Sequence, residues 1–246
     1  MKIWIYYHIA QFPGWEQMVD EKIALMKQHG LWQAADKIVL QLHYDPDAAL
    51  RWMLKHQEIC RDPRITVLRH IEVFGIIGIF PTQKPVGEVY SIRELHDQSL
   101  KTHENTAVFR YHTKGITHWD KPSWPAAKEW NRYYDYWTIE KWQLCYETLR
   151  AGYDTVGANW HHGHWSGNIW WATTDWMNTI PQLKWPHEVN FERQLAGFSP
   201  RHDAEHWIGY TGPRKLELDH FEHAADCRWQ PNWDQYALKK DLDIEE

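Results

Sequence analysis

No run of about 18 consecutive apolar residues occurs in the 246-residue chain, so nothing in it reads as a membrane-spanning helix. Cysteine is scarce. Cys60, Cys145 and Cys227 lie far apart and never in CxxC spacing, which supports neither a disulfide framework nor a cysteine zinc site. A basic excess is also missing: the formal net charge of -6 counts against a general nucleic-acid binder. The opening "MKIWIYYHIAQFPGWEQ" brings polar residues too early for a secretory apolar core, and the expectation is a cytoplasmic protein with no transmembrane segment. No internal repeat or low-complexity linker breaks the chain.

Tryptophan is what the chain has in abundance, 18 in all, with ten between Trp119 and Trp176. The stretch "GHWSGNIWWATTDW" (163 to 176) sets four of them around a Ser-Gly-Asn turn. Every indole carries an N–H that needs a partner, so a core filled this way is inefficient, whereas sugar and base rings stack well on such surfaces. Dense packing without a ligand is the competing explanation.

The pattern along the chain alternates strand and helix. "KIWIYYHI" (2 to 9) reads as a strand, followed by a Pro-Gly break and the helical "WEQMVDEKIALMKQHG". "KIVLQLHY" (37 to 44) leads through "DPD" into the helical "AALRWMLKHQEIC", and "RITVLRHI" (64 to 71) is a third strand. "ELHDQSLKTHE" (94 to 104) reads as a helix, "TAVFRYHTKG" (106 to 115) as a strand entering a polar loop, and 126 to 153 as the longest helix. "DTVGAN" and "GNIWWAT" read as two strands joined by a His-rich turn. The alternation predicts an α/β fold with a mostly parallel sheet flanked by helices, in which ligands sit beyond the carboxyl ends of the strands. "YYHIA", "HTKG" and "HHGHWSGN" all fall at such ends, which points to one cleft.

At "YHTKGIT" (111 to 117), "YDTVGANW" (153 to 160) and "SGNIWWA" (166 to 172) the chain resembles a family of small GT-A-fold glycosyltransferases found in bacterial polysaccharide clusters and large algal viruses. The resemblance covers roughly residues 2 to 210. It implies a GT-A-like, Rossmann-like catalytic domain over 1–212, with residues 213–246 as an extension packed on it whose acidic end is expected to be disordered. It also implies a hexosyltransferase-type enzyme of polysaccharide biosynthesis that moves a sugar from a nucleotide-sugar donor, UDP by analogy, to a glycan or other saccharide acceptor. One departure stands out. GT-A enzymes commonly hold Mn or Mg with Asp-x-Asp after the central strand, where this chain has His112-Thr113-Lys114, so metal dependence stays open. "DPD" (45 to 47) reads as a turn and helix N-cap instead.

On that resemblance the donor nucleotide falls to Tyr6, Tyr7 and His8 for base and ribose, and to His112, Thr113, Lys114, Gly115 and Arg132 for the phosphates. An inverting transfer needs a carboxylate to deprotonate the attacking hydroxyl, and "SPRHDAEHWIGY" (199 to 210) offers Glu205, with Asp203 as rival. Either carboxylate is equally at home in a first helical turn. Ser166, Gly167 and Asn168 offer a close backbone approach and polar groups to sugar hydroxyls. Trp170 and Trp171 point to opposite faces of a strand, so one of them is expected to line the cleft and the other to join the core. Trp119 and Trp124 are expected in a flap over the donor.

Two other readings compete. "HDAEH" (202 to 206) fits the H-x-x-E-H pattern of zinc metallohydrolases, and "HHGH" and "DHFEH" add histidines, although 17 histidines make chance matches common. A non-catalytic carbohydrate-binding module would explain the aromatics, but the strand-helix alternation counts against it.

Overall fold

In the computed structural model, residues 1–43, 45–70, 87–161, 163–183 and 200–218 are described. Strand β1 (Lys2–Ala10) is followed by α1 (Trp15–Gln28) and α2 (Leu31–Ala34), β2 (Lys37–His43) by α3 (Pro46–Lys55) and α4 (Gln57–Cys60), and β3 (Ile65–His70) by α5 (Gly87–Ser99). The chain continues through β4 (Thr106–His112), α6 (Trp124–Asp135), a π-helical turn (Tyr136–Glu140) and α7 (Trp142–Arg150). β5 (Thr155–Gly157), the hairpin strands β6 (Trp160–His161) and β7 (His164–Trp165), β8 (Trp170–Thr173), α8 (Thr174–Met177), α9 (Pro200–His206) and β9 (Lys215–Glu217) complete it.

Seven strands form one sheet in the order β3-β2-β1-β4-β8-β5-β9. β2–β3, β1–β2, β1–β4 and β5–β9 pair in parallel, and β8 pairs antiparallel with both β4 and β5. Only β8 therefore runs against the other six. The result is an α/β fold with a mostly parallel sheet flanked by helices, compatible with a Rossmann-like layout. The sheet runs past Gly212, because β9 is one of its strands.

Alternation along the strands feeds two apolar layers. On one face Ile5, Tyr7, Ile9, Leu40, Leu42, Phe109, Tyr111 and Trp171 pack with Met18, Val19, Ile23 and Met26 of α1 and with Tyr133, Tyr134, Trp137 and Leu149. The other face carries Tyr6, Val39, Val108, Trp170 and Ala172 beneath Val89, Ile92 and Leu95 of α5, Met177 of α8 and Ala204 of α9. The N-cap reading of "DPD" holds: the Asp45 carboxylate accepts from the backbone N–H groups of Asp47 (3.0 Å) and Ala48 (2.9 Å), with Pro46 in the first turn.

Two helices differ from expectation. α5 starts earlier and stops at Ser99, whose hydroxyl donates to the His96 carbonyl at 2.8 Å. The long helix expected over 126 to 153 is broken by the π turn, where Lys141 N–H bonds back to the Tyr136 carbonyl (3.0 Å). The Thr138 hydroxyl donates to the Tyr134 carbonyl (2.7 Å), and the Thr138 carbonyl accepts the indole N–H of Trp171 (3.0 Å). Side chains thus take over groups that an α-helical ladder would use.

The tryptophan surplus is resolved largely by this core. Indole N–H groups find partners in the Thr138, Ile208, Pro181 and His29 carbonyls (from Trp171, Trp176, Trp207 and Trp142), and in Asn168 for Trp170. The objection that indoles fill a core poorly fails where loops and an irregular helix supply acceptors.

Candidate functional site

Three adjacent strands turn polar toward their carboxyl ends, all on the α5 face. β1 runs from Tyr6 to His8, β2 from Val39 through Gln41 to His43, and β4 from Val108 through Arg110 to His112, and every one of these side chains is buried. The parallel register sets Tyr6 beside Arg110, His8 beside both His112 and Gln41, and Ala10 beside His43. Ring centroids of His8 and His43 lie 4.3 Å apart, and those of His8 and His112 6.3 Å apart. α5 covers this layer, with the Ser91 hydroxyl donating to the Gln41 side-chain oxygen.

The "HTKG" segment is fixed to the same rim. Thr113 N–H donates to the His8 carbonyl (3.1 Å), and the Thr113 hydroxyl oxygen accepts from the Ala10 N–H (3.0 Å), which staples the loop to the end of β1. Gly115 takes φ +77°, with Ala127 of α6 so close that an added Cβ would lie 3.2 Å from its methyl group. Asn131 of α6 donates to the Lys114 carbonyl (2.8 Å), and the Lys114 ammonium lies 5.0 Å from the centre of the Trp130 ring.

Because β8 runs backwards, its beginning lies at the rim where its neighbours end. The Ser-Gly-Asn turn that precedes it is thereby delivered to β4. The Gly167 carbonyl meets His112 Nε2, and the Asn168 carbonyl accepts from the Arg110 guanidinium. The Asn168 side chain accepts from Trp170 (2.9 Å) and donates to the Ala204 carbonyl of α9 at 3.5 Å. Gly167 adopts φ +75° with the Tyr134 ring 3.2 Å from where a Cβ would stand.

Glu88, in the first turn of α5, places Oε1 3.2 Å from His112 Nδ1 and 3.8 Å from the Arg110 guanidinium. Burial holds His112 well below the usual imidazole range, with the charges of Lys114 and Arg110 acting the same way and the Gly167 carbonyl and Glu205 pulling against them. An uncharged ring has one N–H, yet both its nitrogens face acceptors. Burial also lowers the Arg110 pKa, opposed by Glu88 and Glu205. Glu205 of α9 thus acts electrostatically on both β4 side chains.

The structure brings together His8, His112, Thr113, Lys114, Gly115, Gly167, Asn168 and Glu205, with half-buried Ser166 beginning the turn. It separates others. Tyr7 points to the opposite face of the sheet and packs edge-on against Tyr111 (5.2 Å), so it cannot join His8 in holding a nucleotide. Tyr6 lies on the α5 face but is buried among Val39, Val89 and Trp170. Trp170 and Trp171 do take opposite faces, yet both are fully buried and neither lines the cleft. Trp171 is stacked on Phe109 at 4.9 Å. Arg132 is exposed on α6, about 100° around the helix from the Asn131 that holds the "HTKG" loop. Trp119 is not part of an open flap. Its indole lies against Gly14 at the start of α1 and 4.7 Å from the Trp124 ring. Asp203 is half-buried and stands next to Ala204 in α9.

Among the described residues no group of three or more His, Cys, Asp or Glu is arranged to hold a metal ion. His206 of the "HDAEH" segment packs its ring 4.3 Å from that of His164. The His202 side chain, His162 of "HHGH" and the "DHFEH" stretch lie outside the described residues, as does the acidic chain end. Sequence reasoning missed Gln41, His43, Glu88, Arg110 and Trp130. A signal for three of them was present, since Gln41, His43 and Arg110 are polar residues at inward positions of apolar strands. No helix among the described residues is long and apolar enough to cross a membrane. A comparison with known protein families found no matching model, and a comparison with curated proteins found no match either.

Proposed function

We propose that the chain is an inverting glycosyltransferase of the GT-A type, which moves a sugar from a nucleoside-diphosphate sugar, UDP by resemblance, to a hydroxyl of a saccharide acceptor. One observation carries this reading. The two segments that bear the resemblance, "HTKG" and "SGN", meet at the carboxyl rim through His112 and Gly167, with Glu205 close enough to act on His112. Ligands of open α/β sheets bind at that rim.

In this reading the acceptor oxygen attacks the anomeric carbon while its proton passes to the Glu205 carboxylate. The bond from that carbon to the diphosphate oxygen breaks, and its electron pair leaves with the nucleotide. The developing charge falls to the Lys114 ammonium, held beside Trp130 at the loop. His112 contributes position instead of charge, because both its nitrogens are engaged. Lys114 stands where Asp-x-Asp would hold Mn or Mg, so the reading gives this lysine a share of the diphosphate charge, with Mn or Mg held by other groups as the alternative.

The test is the thermal unfolding midpoint with UDP, GDP and CMP, each with Mn, Mg or EDTA. A ligand at 100 times its Kd stabilises the fold by about 2.7 kcal/mol through mass action. A rise with UDP that survives EDTA is expected. A rise that needs Mn transfers the charge from Lys114 to a cation, and no rise with any nucleotide overturns the reading.

A further inference from the structure

Among the described residues, buried Arg110 and half-buried Glu88 at this rim keep polar atoms without a hydrogen-bond partner. Arg110 is 1% exposed and donates to the Asn168 carbonyl, but its Nε and Nη2 take no hydrogen bond. Glu88 turns Oε1 toward His112, while its buried Oε2 accepts no hydrogen bond from the described residues. The two groups are neighbours, with Nη2 3.8 Å from Oε1. Buried polar atoms are almost always satisfied, so open ones beside a cleft mark where water or a ligand completes the set.

The chemistry of the open atoms selects the ligand. Guanidinium N–H groups only donate, and a carboxylate oxygen only accepts. A phosphoryl or carboxylate oxygen would suit Arg110 and be repelled by Glu88, whereas an ammonium would suit Glu88 and be repelled by Arg110. A hydroxyl group both accepts and donates, and so meets both. Glu88 keeps 12% of its side-chain surface exposed.

We propose that Arg110 and Glu88 form a hydroxyl-reading subsite for the transferred sugar, in which a ring hydroxyl accepts from Arg110 Nε or Nη2 and donates to Glu88 Oε2. The proposal rests on the nucleotide-sugar reading and extends it from the nucleotide to the sugar. Sites built to hydrogen-bond a substrate hydroxyl reject analogues that lack it, because their own buried groups are then left open. The subsite accordingly selects which sugar is transferred and leaves nucleotide affinity alone.

Calorimetric titration of the full chain tests it, with UDP, GDP and CMP and with the UDP conjugates of glucose, galactose and N-acetylglucosamine, on wild type, Glu88→Ala and the milder Glu88→Gln. The unliganded thermal midpoint of each variant controls for folding, and Glu88→Gln carries the test if Glu88→Ala does not fold. The expected result is UDP affinity within about twofold of wild type, together with a loss of about tenfold or more for the UDP-sugar that wild type binds best. Unchanged UDP-sugar affinity overturns the subsite and leaves the open atoms to water, and an equal loss for UDP and UDP-sugar overturns it as well. Wild type that binds none of the nucleotides or conjugates overturns the nucleotide-sugar reading, and the subsite falls with it.

Discussion

His112 and Gly167, 55 positions apart, are joined ring nitrogen to carbonyl oxygen at the carboxyl rim of the sheet. This contact ties the loop after β4 to the turn before β8, and Glu88 closes the ring's other edge. The site is therefore held by a histidine whose burial keeps it uncharged.

That burial makes stability depend on acidity. His112 and His96 both have pKa values held below 6.5 by desolvation, so between the folded value and 6.5 the unfolded chain binds more protons than the folded one. Unfolding free energy should fall as pH drops through about 6.5. Denaturant titrations in a pH series check this, and His112→Gln should show a shallower fall than wild type. An equal slope in the variant would remove His112 from the account.

Beneath the other face, the Lys22 ammonium pairs with the Asp135 carboxylate, which also accepts from the Tyr111 hydroxyl at 2.7 Å. All three are buried. Asp135→Ala would leave a buried ammonium without its partner and should cost about 3–5 kcal/mol by urea unfolding. Combining Lys22→Met with the aspartate substitution should recover part of that loss.

Gly167→Ala forces a side chain into the left-handed region and against the Tyr134 ring. Left-handed backbone alone costs an alanine about 1–2 kcal/mol. The thermal midpoint should fall, and nucleotide-dependent stabilisation should fall with it, because the turn that receives His112 is displaced.

Glu205→Ala should lower sugar transfer by about 100-fold or more, the scale of a lost general base, with nucleotide affinity retained. Asp203→Ala is the paired control and should stay near wild type in a product-release assay. Similar losses in both would pass the role of base to neither residue alone.

Much of the fold was legible because strands and helices announce themselves by period. β1, β2, β3 and β4 fell within a residue or two of the segments read from alternation, and Asp45 behaved as an N-cap because Asp-Pro-Asp has few other uses. The site was legible only in its loops. "HTKG" and "SGN" stand out as sequence, whereas Arg110 and Glu88 owe their placement to a strand register and a helix position that no local pattern encodes. Tyr7 was misassigned for a local reason, since adjacent residues of a strand face opposite ways and only one of Tyr7 and His8 could belong to the site. Trp171 shows the reverse error: an acceptor for its indole came from the π turn, which a helical period cannot reveal.

The π turn at Tyr136–Glu140 also governs where this chain tolerates length change. It joins α6, which grips the "HTKG" loop through Asn131, to α7, which packs beside β5 and β8. The turn holds one residue more than an α-helical turn would, so deleting one there would exchange the bond from the Lys141 N–H to the Tyr136 carbonyl for an α-helical ladder. A length change that the surface turns absorb would, at this point, move the Thr138 carbonyl that accepts the Trp171 indole and so disturb β8.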